Sequence, residues 1–138
     1  MNFPENGTAV PFFEAYERAL QTSTPAWEAF YHDSFLFGGP QGAQSVQLAD
    51  FVRFIPRRTE AAQALGLTAT KLVSVDASPL DARYTLAEVV WQMTLHRAAG
   101  PVTLSSDATY VLMNQDGPRI VAQLDHQNLM EKIEALGV

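Results

Sequence analysis

The side chains that could do chemistry gather on the last two strands that the sequence predicts, over residues 102–114 and 119–125. Alternate residues of a strand point to the same side. One such set, taken together with the preceding strand, mixes apolar groups with hydroxyl, amide and carboxyl groups. A few fixed polar groups between apolar walls are typical of a small-molecule cavity. The set contains Val90, Gln92, Thr94, His96, Ser105, Asp107, Thr109, Val111, Met113, Val121, Gln123 and Asp125.

Two members of this set are acidic. If Asp125 lies in a cavity, it loses part of its hydration and its pKa rises toward the range useful for proton transfer. The alternative is that Asp125 caps the helical segment beginning at His126. Aspartate is depleted in strands, so Asp107 is either a second polar wall group or a side chain that reaches solvent. A half-wetted outer face also explains the set, and a one-residue slip in pairing would move a strand to the other side.

The opposite set of strand residues is almost wholly apolar. We expect it to pack on helices or on another subunit, and we predict that the protein forms a homodimer through this face. Its members are Val89, Trp91, Met93, Leu95, Val102, Leu104, Tyr110, Leu112, Ile120, Ala122 and Leu124.

Helices must precede these strands, because apolar residues recur there at intervals of three and four. Tyr16 lies on the apolar face of a helix over 9–20, either as a core residue with a tethered hydroxyl or as part of a site. A second helix over 48–65 contains Pro56, which should kink or split it. Its arginines form either a solvated face or a rim for an anionic ligand: Arg53, Arg57 and Arg58.

The remaining elements complete an α+β fold in one domain over residues 1–138. They are a short helix from Pro25 to Phe30, a brief strand at 35–37 that turns at 38–40, a long loop, strands at 68–78 and 84–97, and a last helix over 127–136. Helices followed by an antiparallel meander predict helices packed on one face of a strongly bent sheet.

Composition excludes several classes of function. The 138 residues include no cysteine and carry a formal net charge of −6, which rules out thiol catalysis and disfavours nucleic acid and anionic membranes as partners. His96 and His126 have no companion at metal-ligand spacing, so no metal is predicted. No secretory signal or membrane-length apolar run is visible, and we expect a cytoplasmic protein.

Several segments resemble the nuclear transport factor 2-like superfamily, whose cone-shaped fold encloses a pocket between a bent sheet and helices. The opening helix over 12–20 and the stretch over 30–37 are similar to the start of that fold. The segments over 116–121, 124–129 and 135–137 resemble the ending of its polyketide-cyclase-like members. The resemblance implies that Asp125 is the general acid/base of the pocket. Gln123 stands where many members carry histidine, and it keeps a hydrogen bonder without a titratable group.

The ketosteroid isomerase branch of the same superfamily offers a second comparison. Tyr16 fits the position of its oxyanion donor. Gly39 stands where that branch has its base aspartate, so this base is missing. The protonated acid of the branch would fall near Thr109, with Asp107 two residues away.

These patterns favour cofactor-free acid/base chemistry, cyclase-like or isomerase-like, on a small apolar compound with a carbonyl group. Asp125 would move the proton, Tyr16, Gln123 and Asp107 or Thr109 would supply polar groups, and the apolar Val111 and Val121 would complete the wall. One rival is a noncatalytic ligand-binding or dimerising module. Another is a subunit that lends its sheet to a partner chain, since a fold does not fix a function.

Overall fold

The computed structural model of the protein describes residues 8–22 and 25–135. Within these residues, three helices and a short 3₁₀ turn accompany a six-stranded sheet. The helices are α1 (Ala9–Leu20), α2 (Leu48–Ala64) and α3 (Leu129–Glu134), and the 3₁₀ turn is Trp27–Ala29. The strands are β1 (Tyr31–Gly39), β2 (Gly42–Gln47), β3 (Leu67–Pro79), β4 (Tyr84–Arg97), β5 (Gly100–Asn114) and β6 (Pro118–Asp125).

The strand order is β2-β1-β6-β5-β4-β3. Neighbouring strands are antiparallel except β1 and β6, which run parallel, so the sheet is mixed. The predicted α+β class, with helices preceding a meander of long strands, is confirmed. The parallel pair places the first strand of the chain, β1, beside the last strand, β6.

An aromatic core joins α1 to one face of the sheet, called here the inner face. The buried side of α1, which packs on the inner face, contains Phe12, Phe13 and Tyr16, as their helical spacing predicts. The Glu17 carboxylate also accepts a 2.6 Å hydrogen bond from the backbone N–H of Leu72, where β3 has an irregular register. The sheet contributes Trp91, Tyr110, Leu112 and Ile120 to the same core.

This packing decides what covers the apolar set of strand residues. Trp91 and Tyr110 contact aromatic rings of α1, and Val89 is buried in the same core within the chain itself. The prediction that this face joins two subunits is therefore wrong, because its core residues are already buried in one chain.

Two elements near the centre of the chain differ from the prediction. The segment predicted as a long loop contains β2, which forms a hairpin with β1 around Pro40 and Gln41. Five of the six residues of β2 are exposed, so it lacks the apolar alternation that marks a half-buried strand. The structure also keeps α2 as one helix across Pro56, so the predicted split does not occur.

The last hairpin and the last helix follow local rules. Asp116 and Gly117, in the connection between β5 and β6, both have positive φ (54° and 97°), a backbone conformation that glycine adopts freely and that aspartate tolerates better than most residues. Asn128 caps α3, because its side-chain oxygen accepts from the backbone N–H of Glu131 at 3.2 Å. The helix therefore begins later than predicted, and the cap is Asn128 rather than Asp125. Its predicted end at Leu136 lies outside the described residues.

A β-bulge in β6 controls which side chains face α1. Leu112 pairs with Ile120 and Val111 pairs with Ala122, so Val121 is an extra residue in β6. An extra residue reverses the alternation beyond it. Ile120 and Gln123 therefore share the inner face, where both are buried, whereas Leu124 is 37% exposed on the opposite side.

Candidate functional site

A cavity of about 750 Å³ lies between the inner face of the sheet and the helices α1 and α2. Its floor comes from β4, β5 and β6, and its outer rim from the exposed β1–β2 hairpin. Apolar and polar groups alternate around the wall. The apolar lining includes Leu20, Phe37, Ala61, Ala62, Trp91, Met93 and Ala108, and the polar lining includes Tyr16, Gln44, Arg58, Thr70, Ser106, Tyr110, Gln123, Asp125, Gln127 and Asn128.

A chain of hydrogen bonds runs through the core and ends in this cavity. The hydroxyls of Tyr16 and Tyr31 are 2.8 Å apart. The Tyr31 hydroxyl donates to Oε1 of Gln123 at 2.6 Å. Nε2 of Gln123 then donates to a carboxylate oxygen of Asp125 at 3.1 Å. Four side chains from α1, β1 and β6 thus form one connected network.

With Oε1 of Gln123 facing Tyr31, counting protons gives the direction of this network. A phenolic hydroxyl has a single proton, and Tyr31 gives its own to Gln123. Tyr16 must therefore donate to Tyr31, and every bond points toward Asp125. A network that ends on an acceptor suits the ionised carboxylate, which accepts hydrogen bonds and donates none.

Opposing effects act on the pKa of Asp125. Burial raises its pKa above the ordinary value of an aspartate because it penalises the charged form. The hydrogen bond from Gln123 and the charges of Arg58 and His126 lower it, but burial is the largest effect. The result is a partly desolvated carboxyl group with a raised pKa in the wall of a cavity.

The tyrosines nearby are neutral around physiological pH. Burial raises the pKa of Tyr16 to about 12, against the opposing hydrogen bond with Tyr31. Burial also raises the pKa of Tyr31 and of Tyr110 well above the ordinary range. Each therefore acts as a neutral hydroxyl, and the proton that Tyr16 holds is committed to Tyr31.

Arg58 brings positive charge to the same cavity from α2. Its guanidinium group lies over the rings of Phe37 and Phe54, 5.6 Å and 5.9 Å from their centroids. Among the described residues that line the cavity, Arg58 is the one permanent cation and Asp125 the one carboxyl group. Arg53, from the same predicted cluster, pairs instead with Asp50 outside this lining.

The structure brings together three of the predicted site residues. Tyr16, Gln123 and Asp125 all line the cavity. The others do not line it: Asp107, Thr109, Val111 and Val121.

The pairing of β5 with β6 explains this separation. Tyr110 lies opposite Gln123, and Ala108 lies opposite Asp125. The odd-numbered residues of β5 around them, including Asp107 and Thr109, therefore face the other side of the sheet, called here the outer face. The prediction therefore combined the wrong faces of β5 and β6. It assigned Tyr110 and Leu112, which lie on the inner face of β5, to the apolar set, and it assigned Gln123 and Asp125, which lie on the inner face of β6, to the mixed set.

Thr109 has its own contacts on the outer face. Its hydroxyl donates to Glu88 at 2.7 Å and lies 2.6 Å from Nε2 of His126. Asp107 interacts through its backbone, whose N–H donates to Gln127 at 2.9 Å. Among the described residues, no three His, Asp or Glu side chains come together to hold a metal ion.

Sequence reasoning missed Tyr31. It precedes the strand that was predicted at 35–37, and nothing in its neighbourhood marks it as inward-facing. In the structure β1 begins at Tyr31, with an irregular register to β6 between Tyr31 and Leu36. Only 2% of the side chain is exposed. A buried tyrosine hydroxyl needs a partner, but its partners come from residues 15 and 92 positions away.

Comparisons with known proteins identify the fold. No family model and no curated protein matches the chain. An NTF-2 like protein of unknown function from Shewanella oneidensis MR-1 superposes with a TM-score of 0.67 at 11% identity, over 87% of this chain and 97% of that one. The chain has the nuclear transport factor 2-like fold.

Two further solved structures show how widely this fold is used. A candidate polyketide cyclase from Xanthomonas campestris pv. campestris matches with a TM-score of 0.58 and 19% identity, over 94% of this chain and 93% of that one. The CaMKII hub of S. rosetta matches with a TM-score of 0.69 and 14% identity, over 91% of this chain and 97% of that one. At such identities the likeness establishes the nuclear transport factor 2-like fold, and the activity must be argued from the site.

Among the described residues, no helix is long and apolar enough to cross a membrane.

Proposed function

We propose that the protein binds a small apolar carbonyl compound in the cavity and exchanges a proton with it through Asp125. The observation that carries this proposal is the ending of the hydrogen-bond network on the one carboxyl group of the described cavity lining. Asp125 has one oxygen held by Gln123, and its other lone pairs are available to a ligand. A raised pKa brings a carboxyl group closer to the range in which it can both take and return a proton.

Arg58 takes the electrostatic role in this proposal. When a base removes a proton beside a carbonyl group, negative charge develops on the carbonyl oxygen. A positive group aimed at that oxygen stabilises it, most strongly where water is excluded. Arg58 lines the cavity opposite a floor that contains Asp125. Tyr16 gives its proton to Tyr31 while Asp125 is ionised, so it does not serve the ligand directly in that state.

The shape of the cavity fits an apolar body with one polar end. Phe37, Trp91 and Met93 supply apolar wall, whereas Arg58 and Asp125 are ionisable. The volume of about 750 Å³ lies within the roughly 300–1,000 Å³ of small-molecule pockets. The chemistry needs no cofactor, because proton exchange beside a carbonyl uses only a base and a stabilised oxygen.

Deuterium exchange tests this proposal without knowledge of the natural ligand. The probe is 2-tetralone, an apolar ketone with acidic C–H bonds beside its carbonyl group, dissolved in D₂O and followed by proton NMR. Asp125 would take a proton from carbon and, after exchange with solvent, return a deuteron. We expect the protein to accelerate this exchange, and Ser106→Trp to abolish the acceleration because Ser106 lines the cavity.

Ser105→Trp is the matched control. Ser105 is exposed and lies outside the cavity lining, so this variant should keep the full rate. Circular dichroism and thermal melting would verify that both variants fold. A folded Ser106→Trp protein that exchanges 2-tetralone as fast as the wild type would show that the cavity is not the site.

A second candidate function, homodimer formation, is favoured by the outer face of the sheet. Leu36 and Leu124 are 41% and 37% exposed and lie on adjacent strands, since Gly38 pairs with Leu124 and Leu36 with Ala122. Neighbouring exposed apolar groups are typical of an association surface. The CaMKII hub of S. rosetta is one of the solved structures that match this fold. We propose that a second copy of the chain covers this face.

Light scattering measures this association directly. We expect the wild-type protein to have twice the 15.2 kDa mass of one chain, and Leu124→Lys to shift it toward one chain by placing a charge in the contact. Leu80→Lys is the control, because Leu80 is 59% exposed in the β3–β4 connection. A wild-type mass of one chain at high micromolar concentration would contradict the proposal.

A further inference from the structure

The network from Tyr16 to Asp125 has a second arrangement that uses the same heavy-atom positions. An amide group can exchange its oxygen and nitrogen by a half-turn about its last bond. Gln123 would then accept from Asp125 and donate to Tyr31. Tyr31 would in turn donate to Tyr16. The hydroxyl of Tyr16 would keep its own proton, which would no longer be donated within the network. Each of the three bonds would reverse its direction while keeping its length.

We propose that the protonation state of Asp125 selects between these two arrangements, so that the hydroxyl of Tyr16 on α1 responds to a proton bound by Asp125 on β6. An ionised Asp125 can only accept, and this requires the arrangement in which Tyr16 donates to Tyr31. A protonated Asp125 can donate to Gln123, and the reversed arrangement then uses every donor and acceptor of the three hydrogen bonds except the Tyr16 hydroxyl proton, which is left to the cavity. A mixed arrangement would leave two donors or two acceptors facing each other, which is costly in a buried site.

The switch has a direct meaning for the cavity, since Tyr16 and Asp125 both line it. When Asp125 is ionised, Tyr16 can offer the cavity only an acceptor. Once Asp125 has taken a proton, the hydroxyl proton of Tyr16 is free to point to a ligand oxygen. This consequence rests on the proposed function: the C–H bond of the ligand breaks, its proton binds Asp125, and its electron pair moves onto the carbonyl oxygen. Tyr16 then stabilises that oxygen at the moment when it becomes negative.

Tyr31 is the positioning residue of this device. Its hydroxyl is the middle of the network, but Tyr31 is not among the residues that line the cavity. It can therefore affect the ligand only through Tyr16 and Gln123. Replacing it by phenylalanine removes the link and keeps the ring that packs against Phe35 and Phe51, at 4.7 Å and 4.8 Å between centroids.

Other groups also act on Asp125. Arg58 from α2, His126 next in the chain, and the buried tyrosines of α1, β1 and β5 all interact with its charge. His126 lies on the outer face, with Nε2 held 2.6 Å from the Thr109 hydroxyl and 3.8 Å from Glu88. Its charge acts on Asp125, but none of the hydrogen bonds of the described residues joins it to Tyr16. His126→Asn removes this charge and leaves the network of Tyr16, Tyr31, Gln123 and Asp125 in place.

Carbon-13 NMR tests the switch in the absence of any ligand. The chain contains only four tyrosines, so the ring carbons bonded to oxygen give four signals that single Tyr→Phe variants assign. In wild type, we expect the Tyr16 signal to move with pH at the same midpoint as the side-chain carboxyl carbon of Asp125. In Tyr31→Phe, Asp125 should still titrate, while the Tyr16 signal should keep only the smaller change that the charge of Asp125 causes through space. Gln123→Met cuts the next link and should give the same loss.

Tyr84→Phe is the matched control, because Tyr84 begins β4 and belongs to no part of the network. It should leave the shared midpoint intact. A wild-type Tyr16 signal that stays constant while Asp125 titrates would overturn the proposal. So would a Tyr16 signal that follows Asp125 with undiminished amplitude in a folded Tyr31→Phe or Gln123→Met protein.

This measurement separates the switch from the proposed function. A failure of 2-tetralone exchange with intact coupling of the two NMR signals would remove the activity and keep the switch. Exchange of 2-tetralone without coupling of the two NMR signals would keep the activity and remove the switch. Where both hold, Tyr31→Phe should lower kcat about tenfold, the loss of roughly one hydrogen bond, with KM unchanged because no contact with the bound ketone is lost.

Discussion

Replacing Asp125 by asparagine is expected to slow the deuterium exchange of 2-tetralone by a factor of about 10²–10⁴, the usual contribution of a positioned general base. Asparagine keeps an oxygen that can accept from Nε2 of Gln123, so the network and the shape of the cavity should persist. It cannot take a proton at accessible pH. The measurement is the proton NMR rate with variant and wild type at equal concentration.

Asp107→Asn is the matched control for this prediction. Asp107 pairs with Val90 in the sheet and is absent from the cavity lining. The same chemical change there should leave the rate within about twofold, since surface changes away from a site have small effects. Equal rates for wild type and a folded Asp125→Asn protein would exclude Asp125 as the base.

The pH dependence of stability gives Asp125 an independent signature. Because burial raises its pKa in the folded state, the folded protein binds more protons than the unfolded one between the ordinary aspartate pKa of about 3.9 and the raised pKa. The contribution of Asp125 to stability therefore falls as pH rises through that interval. Asp125→Asn removes this contribution, so the variant should be no less stable than wild type at neutral pH, although it is inactive.

Phe13→Ala is expected to lower the free energy of unfolding by about 3–5 kcal/mol, which is typical when a buried aromatic is truncated to alanine. Phe13 is fully buried and contacts aromatic rings from both α1 and the sheet. The centroids of its ring and that of Tyr110 are 4.8 Å apart, and those of its ring and Phe12 are 5.0 Å apart. Truncation leaves a void that these large rings cannot close. Urea unfolding, with both midpoint and slope, measures the loss.

Phe54→Ala provides the comparison for this core substitution. Phe54 is 55% exposed on α2, and alanine is the best helix former. We expect a change within about 0.5 kcal/mol. A Phe13→Ala protein that unfolds at the same urea concentration as Phe54→Ala would show that the aromatic core of α1 does not hold the helix to the sheet.

Local patterns in the sequence were enough to predict several elements well. The spacing of Phe12, Phe13 and Tyr16 predicts α1 with its observed bounds, because the periodicity of a helix is written in neighbouring residues. The long strands of the meander likewise follow from alternation and from turn residues such as Asp116 and Gly117. The exposed β2 strand escaped prediction because an edge strand without apolar alternation carries no such pattern.

The candidate site depended on pairing that no local pattern contains. The sequence placed Gln123 and Asp125 on one side of β6, but grouped them with Asp107 and Thr109, which lie on the outer face. Register decides this grouping, and a shift of one residue exchanges the two faces of a strand. Here the pairing of Tyr110 with Gln123 determines it.

By itself, the sequence determined the class of the fold and the helix that covers the sheet. It also identified Tyr16, Gln123 and Asp125 as candidate site residues. These follow from spacing within single elements and from a resemblance that rests on short segments. Only the tertiary structure decided that these three side chains meet in one cavity, and that Tyr31 joins them over a separation of 92 residues. The physical reason is that β1 and β6 are far apart in the chain, and that the bulge at Val121 is set by the register between β5 and β6 and not by the residues of β6 alone.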